Sequence, residues 1–196
     1  MPHFWRGSMR RRSPMSGCAG QCRLLPLGND VSIAGPEPLA DHHRLDAFTC
    51  GVQSLDDWLK RRARANQASD ASRTYVLCEG DDVAGYYALA SGGIMVGEAF
   101  GRFRRNMPDP IPVAILGRLA LDHRLRGKGY GRALFKDAAL RVLQAADILG
   151  IRGLLVHAIS EDARAFYLAL GLETSPSDSM MLMATLSDLR EALGPI

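Results

Sequence analysis

The sequence has no long apolar run and few cysteines. These two features limit the classes of protein to which it can belong. No segment of its 196 residues reaches the roughly 18 apolar residues that a membrane helix needs, so we expect no contact with a membrane. The four cysteines are scattered, and the Cys18/Cys22 pair has no second Cys or His pair to complete a zinc site. We therefore expect free thiols, no metal and a cytoplasmic location.

Acidic side chains are absent from the first 29 residues, which contain five arginines. The rest of the chain has 19 basic and 21 acidic residues, so the formal net charge of +3 is no argument for nucleic-acid binding. The apolar stretch of this segment is interrupted by Gln21 and Arg23, so we expect no secretory signal peptide. We expect residues 1–35 to be a disordered or mis-annotated N-terminal extension. In the second case, translation would start at Met15 or at a non-AUG codon for Val31.

The remaining residues, 36–190, indicate a single mixed α/β domain. The chain is 47% hydrophobic, enough for one sizeable core. Alternating runs at 72–78 and 83–90 predict an antiparallel hairpin, and residues 180–186 predict a last strand. Three prolines near the end of residues 92–112 predict an irregular loop there.

A basic, glycine-rich turn joins a strand to a helix in the middle of the chain. Residues 113–121 are apolar at nearly every position, and apolar residues recur at helical spacing from near Gly131 to Gly150. The first N–H groups of such a helix lack partners and the helix dipole is positive there, so the turn suits an anion. Two nucleotide patterns fail, because Arg132 replaces the third glycine of G-x-G-x-x-G and Gly129 replaces the Ser or Thr of the phosphate loop.

This turn resembles the R/Q-x-x-G-x-G/A acyl-CoA loop of the GNAT N-acetyltransferases. The resemblance implies the GNAT fold, an α/β fold with a mixed, twisted central sheet flanked by helices, and acetyl-CoA as cosubstrate. Strands at 113–121 and 152–159 would run parallel, with the acyl-CoA where they part. The residues implied in binding it are Leu119, Ala120, Leu121, Arg126, Gly127, Lys128, Gly129, Tyr130, Gly131 and Arg132.

A second segment, residues 161–171, resembles the GNAT pattern A-x-x-F-Y-x-x-x-G-F, although Leu172 replaces the final aromatic. The resemblance implies that Tyr167 lies beside the acyl-CoA sulfur. Acyl transfer to an amine expels a thiolate that must take a proton, so we expect Tyr167 to be the general acid. A tyrosine at the edge of the core, with no catalytic role, is the alternative for this residue.

No strong general base is evident from the sequence. The position of His157 in the middle of a predicted strand is typical of a histidine in the core. A missing base is tolerable for an α-amine, whose pKa is about 7.7 to 8.0, but not for a lysine amine near about 10.4. The remaining candidates for a base are Asp122, His123, Glu161 and Asp162.

Further segments resemble the GNAT toxins of bacterial type II toxin-antitoxin pairs. These segments are residues 55–59, 104–112, 116–120, 156–158 and 180–183. The resemblance implies acetylation of the α-amine of an aminoacyl-tRNA, which blocks translation, and a ribbon-helix-helix antitoxin as partner. It leaves open whether the protein forms a homodimer.

Binding of the acceptor end of a tRNA requires basic side chains near the acyl donor. Two other functions remain open: acetylation of a small-molecule or protein amine, and a non-enzymatic regulator that binds acyl-CoA. We expect RNA contacts from Arg73, Arg102, Arg104 and Arg105, with Lys60, Arg61, Arg62 and Arg64 on the first helix as further candidates.

Overall fold

A computed structural model describes residues 33–194. The strands are β1 (Ile33–Pro38), β2 (Arg73–Glu79), β3 (Asp82–Ile94), β4 (Ile111–Leu121), β5 (Gly153–His157), β6 (Glu173–Thr174) and β7 (Met181–Thr185). The helices are α1 (Gln53–Arg61), α2 (Ala63–Ala68), α3 (Gly101–Arg104), α4 (Tyr130–Ala146), α5 (Glu161–Leu168) and α6 (Leu186–Leu193). No helix in this part of the chain is long and apolar enough to cross a membrane.

All seven strands form one sheet in the order β1-β2-β3-β4-β5-β7-β6. The pair β4–β5 is parallel and the other neighbours are antiparallel, which confirms the expected mixed sheet. Along β4, pairing with β3 runs from Ile111 to Leu121, but pairing with β5 covers only Ala114 to Leu116. The two central strands therefore separate over the second half of β4.

Helices cover both faces of the sheet, and alternate strand residues belong to different clusters. One face carries a cluster that includes α4, Tyr167 of α5 and Leu189 of α6. On the opposite face, α1 packs against β2 and β3, while Phe103 of α3 packs against β5 and β7. Two separate helical layers on this second face flank the middle of β4.

The segment 92–112 is more regular than expected. β3 continues to Ile94, α3 buries Phe103, and Pro112 lies within β4 opposite Gly93. Pro112 has no N–H to donate, but its carbonyl oxygen accepts from the backbone N–H of Arg152 at 2.8 Å. The predicted irregular loop is therefore wrong at 92–94, 101–104 and 111–112, where tertiary pairing accommodates Pro112. Residues 105–110, which contain the other two prolines, are irregular as predicted.

The helix α1 begins differently from its sequence pattern. Ser54 and Asp57 predict a capping box, but the helix starts at Gln53 and Val52 provides no side-chain cap. The carboxylate of Asp56 instead accepts hydrogen bonds from the backbone N–H of Cys50 at 2.9 Å and from the Thr49 hydroxyl at 3.2 Å. Asp56 therefore fixes the turn that precedes the helix.

The ends of the folded region lie slightly outside the expected bounds. β1 begins at Ile33, before the expected boundary at residue 36, and α6 ends at Leu193, beyond residue 190. Both prolines of β1 are tolerated because β1 is an edge strand. The expectation for residues 1–32, including Cys18 and Cys22, lies outside the described residues.

Candidate active site

The opening between β4 and β5 leaves one edge of β4 without a strand neighbour. After Leu116, β4 continues for five residues that have no β5 partner, and four of them, 118–121, pair with β3. Leu119 and Leu121 pack on the α4 side of the sheet, whereas Ala120 packs on the α1 side. Asp122 donates its backbone N–H to Ala84 of β3 at 2.9 Å, so alternation turns the backbone groups of Leu119 and Leu121 toward the open side and those of Ala120 toward β3. The acyl-CoA contacts of these residues stay predictions.

The glycine-rich loop follows this opening and leads into α4, which starts at Tyr130. Gly127 and Gly129 have positive φ values of 73° and 85°, a conformation that favours glycine. A side chain at either position would have no atom within 4 Å, so the space above the loop is open. The loop can thus present the first N–H groups of α4 to an anion.

Three basic side chains surround the loop, and Arg126 has a protein partner. Its guanidinium donates to the carbonyl oxygen of Cys50, in the turn before α1. Lys128 and Arg132 are exposed and form no ion pair with residues 33–194. The Cys50 thiol nearby is buried, and burial together with Asp56 raises its pKa to about 11. This thiol therefore stays protonated at neutral pH.

Asp122 anchors the turn between β4 and the loop, and it is fully buried. Its carboxylate accepts from the backbone N–H of Arg124 at 3.0 Å and from the Nε of the same residue at 2.9 Å. Burial alone would raise the pKa of Asp122, but these bonds lower it. A carboxylate held in this way is a structural cap, and a poor general base.

The catalytic candidate Tyr167 lies against the start of α4. Its ring centroid is 6.2 Å from that of Phe135 and 5.2 Å from that of Phe166. A Cβ on Gly131 would lie 3.6 Å from the Phe166 ring, so α5 sits directly on the first turn of α4. Tyr167 is buried, and burial raises its pKa. The fold therefore brings the two motifs of the sequence together.

A family model described as the acetyltransferase (GNAT) family matches residues 39–172. The chain belongs to the GNAT family. A relative from Mycobacterium tuberculosis named tRNA-acetylating toxin is 45% identical over 161 residues, which are 82% of this chain and 97% of the relative. The resemblance found in the sequence is thereby confirmed at the level of the family.

Two solved structures share the fold of this GNAT domain. AtaT complexed with acetyl-methionyl-tRNAfMet matches with a TM-score of 0.74 at 29% identity, over 82% of this chain and 97% of AtaT. A tyrosine-to-phenylalanine variant of AtaT, bound to the C-terminus of the antitoxin AtaR and to acetyl-CoA, matches with a TM-score of 0.67 at 30% identity. That match covers 82% of this chain and 96% of the AtaT chain.

The other candidate bases of the GNAT domain differ in their surroundings. His123 is exposed, and its Nδ1 lies 3.2 Å from the Thr49 carbonyl oxygen. Glu161 pairs with Arg164 at 3.3 Å in the first turn of α5, where Asp162 also lies. His157 was expected in the core, but it is exposed at the end of β5, so that expectation is wrong. Its neighbour Val156 packs toward α4, which places His157 on the opposite face.

The predicted RNA-contacting arginines fall into two groups. Arg73 pairs with Asp70 at 2.6 Å and starts β2, opposite Leu89 and thus far from the loop. Arg102 lies between two carboxylates, Glu173 and Asp188. Arg104 and Arg105 are exposed at the end of α3 and have no ion-pair partner among the described residues. These last two are the better placed for a phosphate, and all four stay predictions.

One cluster of potential metal ligands, Glu37, His42 and His43, lies at the β1 edge. The Nδ1 of His43 accepts from the backbone N–H of Ala40 at 2.9 Å, and its Nε2 lies 2.9 Å from a Glu37 oxygen. Both ring nitrogens are thus engaged in holding β1 to the following turn. These contacts give Glu37 and His43 a structural role at the edge of the sheet.

Proposed function

We propose that this GNAT protein transfers the acetyl group of acetyl-CoA to the α-amine of an aminoacyl-tRNA and acts as the toxin of a toxin-antitoxin pair. One observation carries the proposal: Tyr167 packs on Phe135 of α4, and its neighbour Phe166 lies against Gly131 at the start of that helix, next to the point where β4 and β5 separate. The relative named tRNA-acetylating toxin and the AtaT complex with acetyl-methionyl-tRNAfMet support the choice of acceptor.

The loop and β4 would hold the donor at its two ends. Residues 126–132 offer backbone N–H groups, open space over two glycines and the charges of Lys128 and Arg132 to the pyrophosphate. The unpaired edge of β4, at 119–121, would hydrogen-bond the amide-containing arm of the coenzyme. Arg126 would turn from the Cys50 carbonyl to the phosphate, or add its charge from its present position.

Tyr167 would protonate the departing sulfur. Its raised pKa keeps the phenol protonated at neutral pH. The same exclusion of water makes the thiolate beside it more basic, which offsets the raised pKa of the phenol. The proton would move to sulfur as charge develops there in the transition state. The C–S bond breaks, the amine nitrogen bonds to the acetyl carbon, and CoA leaves as a thiol. The tyrosinate then regains a proton from the solvent or from the acetylated amine.

The acceptor would be an α-amine because the carboxylates at the site are poorly suited to deprotonate a lysine amine. Asp122 is buried and has a lowered pKa, and Glu161 is paired with Arg164. An α-amine, with a pKa of about 7.7 to 8.0, is partly neutral at physiological pH, whereas a lysine amine near about 10.4 is not. The chemistry thus favours an aminoacyl ester over a protein lysine.

A ribbon-helix-helix antitoxin would inhibit the toxin and bind the DNA of the operon. The AtaT complex with the C-terminus of AtaR supports an antitoxin partner for this fold. We also propose that the protein forms a homodimer. Analytical ultracentrifugation of the purified protein tests this. Co-expression with the neighbouring gene should relieve toxicity if that gene encodes the antitoxin.

The decisive experiment combines labelled acetyl-CoA with a pool of charged tRNAs and identifies the N-acetyl-amino acid after ester hydrolysis. We expect label on one or a few amino acids, and a Tyr167→Phe variant about 10² to 10⁴ slower with unchanged acetyl-CoA affinity. Tyr75→Phe is the matched control, since Tyr75 lies on β2 and packs against Tyr87. Transfer to a small-molecule or protein amine alone would refute the proposal.

A further inference from the structure

A bulge in β4 changes the face on which Arg118 lies. Ala88 pairs with Arg118 and Leu89 pairs with Leu116, so Gly117 is an extra residue without a partner on β3. Leu116 packs on the α4 side, and strict alternation would place Arg118 there too. After the bulge, Arg118 shares the α1 side with Ala120 instead.

This side of the sheet is uncovered at the bulge. Gly117 and Arg118 are exposed although β4 is a central strand, and His157 on β5 is exposed on the same face. The uncovered strip lies between the layer formed by α1 and the layer formed by α3. It also borders the opening between β4 and β5, on the face opposite Tyr167. An amine acceptor that entered by this strip would approach the opening from the face opposite to Tyr167 and α4.

An aromatic stack holds Arg118 at this position. Its guanidinium carbon lies 5.5 Å from the centroid of the Trp58 ring, and that ring stacks on Tyr86 at 5.8 Å with an interplanar angle of 10°. The Tyr86 hydroxyl in turn donates to the Leu55 carbonyl oxygen at 2.8 Å. The Trp58 ring is therefore in contact with both Tyr86 and Arg118. The surface of the Arg118 guanidinium that faces away from Trp58 is the surface that a ligand can contact.

Arg118 lacks a carboxylate partner among residues 33–194, and its hydrogen bond goes to the adjacent Gly117 carbonyl oxygen. Arg102, Arg124 and Arg141, by contrast, each pair with an aspartate or glutamate. A planar, positioned guanidinium without a counter-ion is suited to an anion that accepts two parallel hydrogen bonds. A phosphodiester is such an anion, and the flat cation can also stack on a base.

We propose that Arg118, held by Trp58, binds the phosphodiester of the 3′-terminal nucleotide of the acceptor tRNA and so places the aminoacyl group at the opening. This inference rests on the proposed function. The terminal phosphodiester is the anionic group nearest to the aminoacyl ester in such a substrate. Arg118 would thus contribute to the choice of a tRNA-borne amine over a free one.

The test compares two acceptors that share the amine and the ester but not the phosphate: aminoacyl-tRNA and the methyl ester of the same amino acid. For Arg118→Ala we expect kcat/KM to fall about 10- to 100-fold on aminoacyl-tRNA. On the methyl ester, kcat/KM should stay unchanged, and so should the acetyl-CoA affinity. Arg118→Lys should recover part of the loss, since it restores the charge without the planar fork. The slope of log affinity for tRNA against log salt concentration should become shallower by about 1, the equivalent of one phosphate contact.

Arg190→Ala is the matched control, because Arg190 is exposed on α6, on the opposite face of the sheet. Full activity of Arg118→Ala on aminoacyl-tRNA, or an equal loss on both acceptors, would refute the role of Arg118. The proposed function would stand in either case. If the wild-type protein acetylates the methyl ester but no aminoacyl-tRNA, the proposed function fails together with this inference. The two failures are therefore distinguishable in one set of assays.

Discussion

Replacing Asp122 with alanine should loosen the turn that carries the acyl-CoA loop. The carboxylate caps the short 3-10 helix His123–Leu125 and accepts three hydrogen bonds from Arg124, one of them from its backbone. Losing a cap costs about 1 kcal/mol, and losing charge-assisted bonds costs about 1.5 to 3 kcal/mol. The Arg124 side chain is 56% exposed and can regain water, which reduces the second cost.

The expected destabilisation is therefore about 2 to 3 kcal/mol, or a fall in Tm of about 4 to 12 °C for a domain of this size. Thermal and urea unfolding followed by circular dichroism measure it. Acetyl-CoA affinity should fall with it, since the loop must then be ordered on binding. Asp46→Ala is the control, because Asp46 is exposed and makes no side-chain hydrogen bond with the described residues.

The pH dependence gives the same prediction a second test. Because the pKa of Asp122 is lowered in the folded state, its stabilisation is present above the unfolded pKa, about 3.9, and is lost as the pH falls through the folded pKa. The difference in unfolding free energy between wild type and Asp122→Ala should be constant from pH 7 to about 5 and shrink below about pH 4. Equal stability of the Asp122 and Asp46 variants at pH 7 would refute the reasoning.

Three further outcomes are expected. Gly153→Ala should lower the unfolding free energy by about 1 to 3 kcal/mol in urea, since its Cβ would lie 2.1 Å from the Ala184 carbonyl oxygen. Gly97→Ala, with open space around it, should change the unfolding free energy little. Arg126→Glu should weaken acetyl-CoA binding at least about tenfold, because it reverses a charge at the loop. Calorimetry measures the affinity, and an unchanged value would refute the binding of the pyrophosphate at this loop. Cys50, buried with a pKa of about 11, should react with iodoacetamide at neutral pH only after unfolding, as peptide mass spectrometry can show.

Local patterns predicted the elements that carry the chemistry. The helix was expected to begin near Gly131 and starts at Tyr130, since unpartnered N–H groups and a glycine turn are local properties. The hairpin of β2 and β3 and the last strand β7 were also predicted from local patterns, the parallel pair β4–β5 was implied by the GNAT resemblance, and all three are confirmed. Strands with strong apolar runs and turns with glycine leave clear signals in the sequence.

Long-range packing decided the features that the patterns missed. Pro112 looked incompatible with a strand. It fits in β4 because the only backbone hydrogen bond required of it there is one accepted by its carbonyl oxygen. Asp57 fitted a capping box, but a neighbouring aspartate, Asp56, bonds to the turn before the helix. His157 looked like a core residue because alternation does not reveal which face lacks a covering helix.

The sequence alone therefore determined the family, the glycine loop and the identity of Tyr167 as the candidate acid, because these depend on short motifs. Tertiary structure alone decided that Tyr167 packs on α4 behind the loop, that β4 loses its β5 neighbour after Leu116, and that Arg118 crosses to the α1 side of the sheet. Each of these depends on register between strands distant in the chain. A shift of one residue reverses which side of a sheet a side chain occupies, and no local pattern fixes that register.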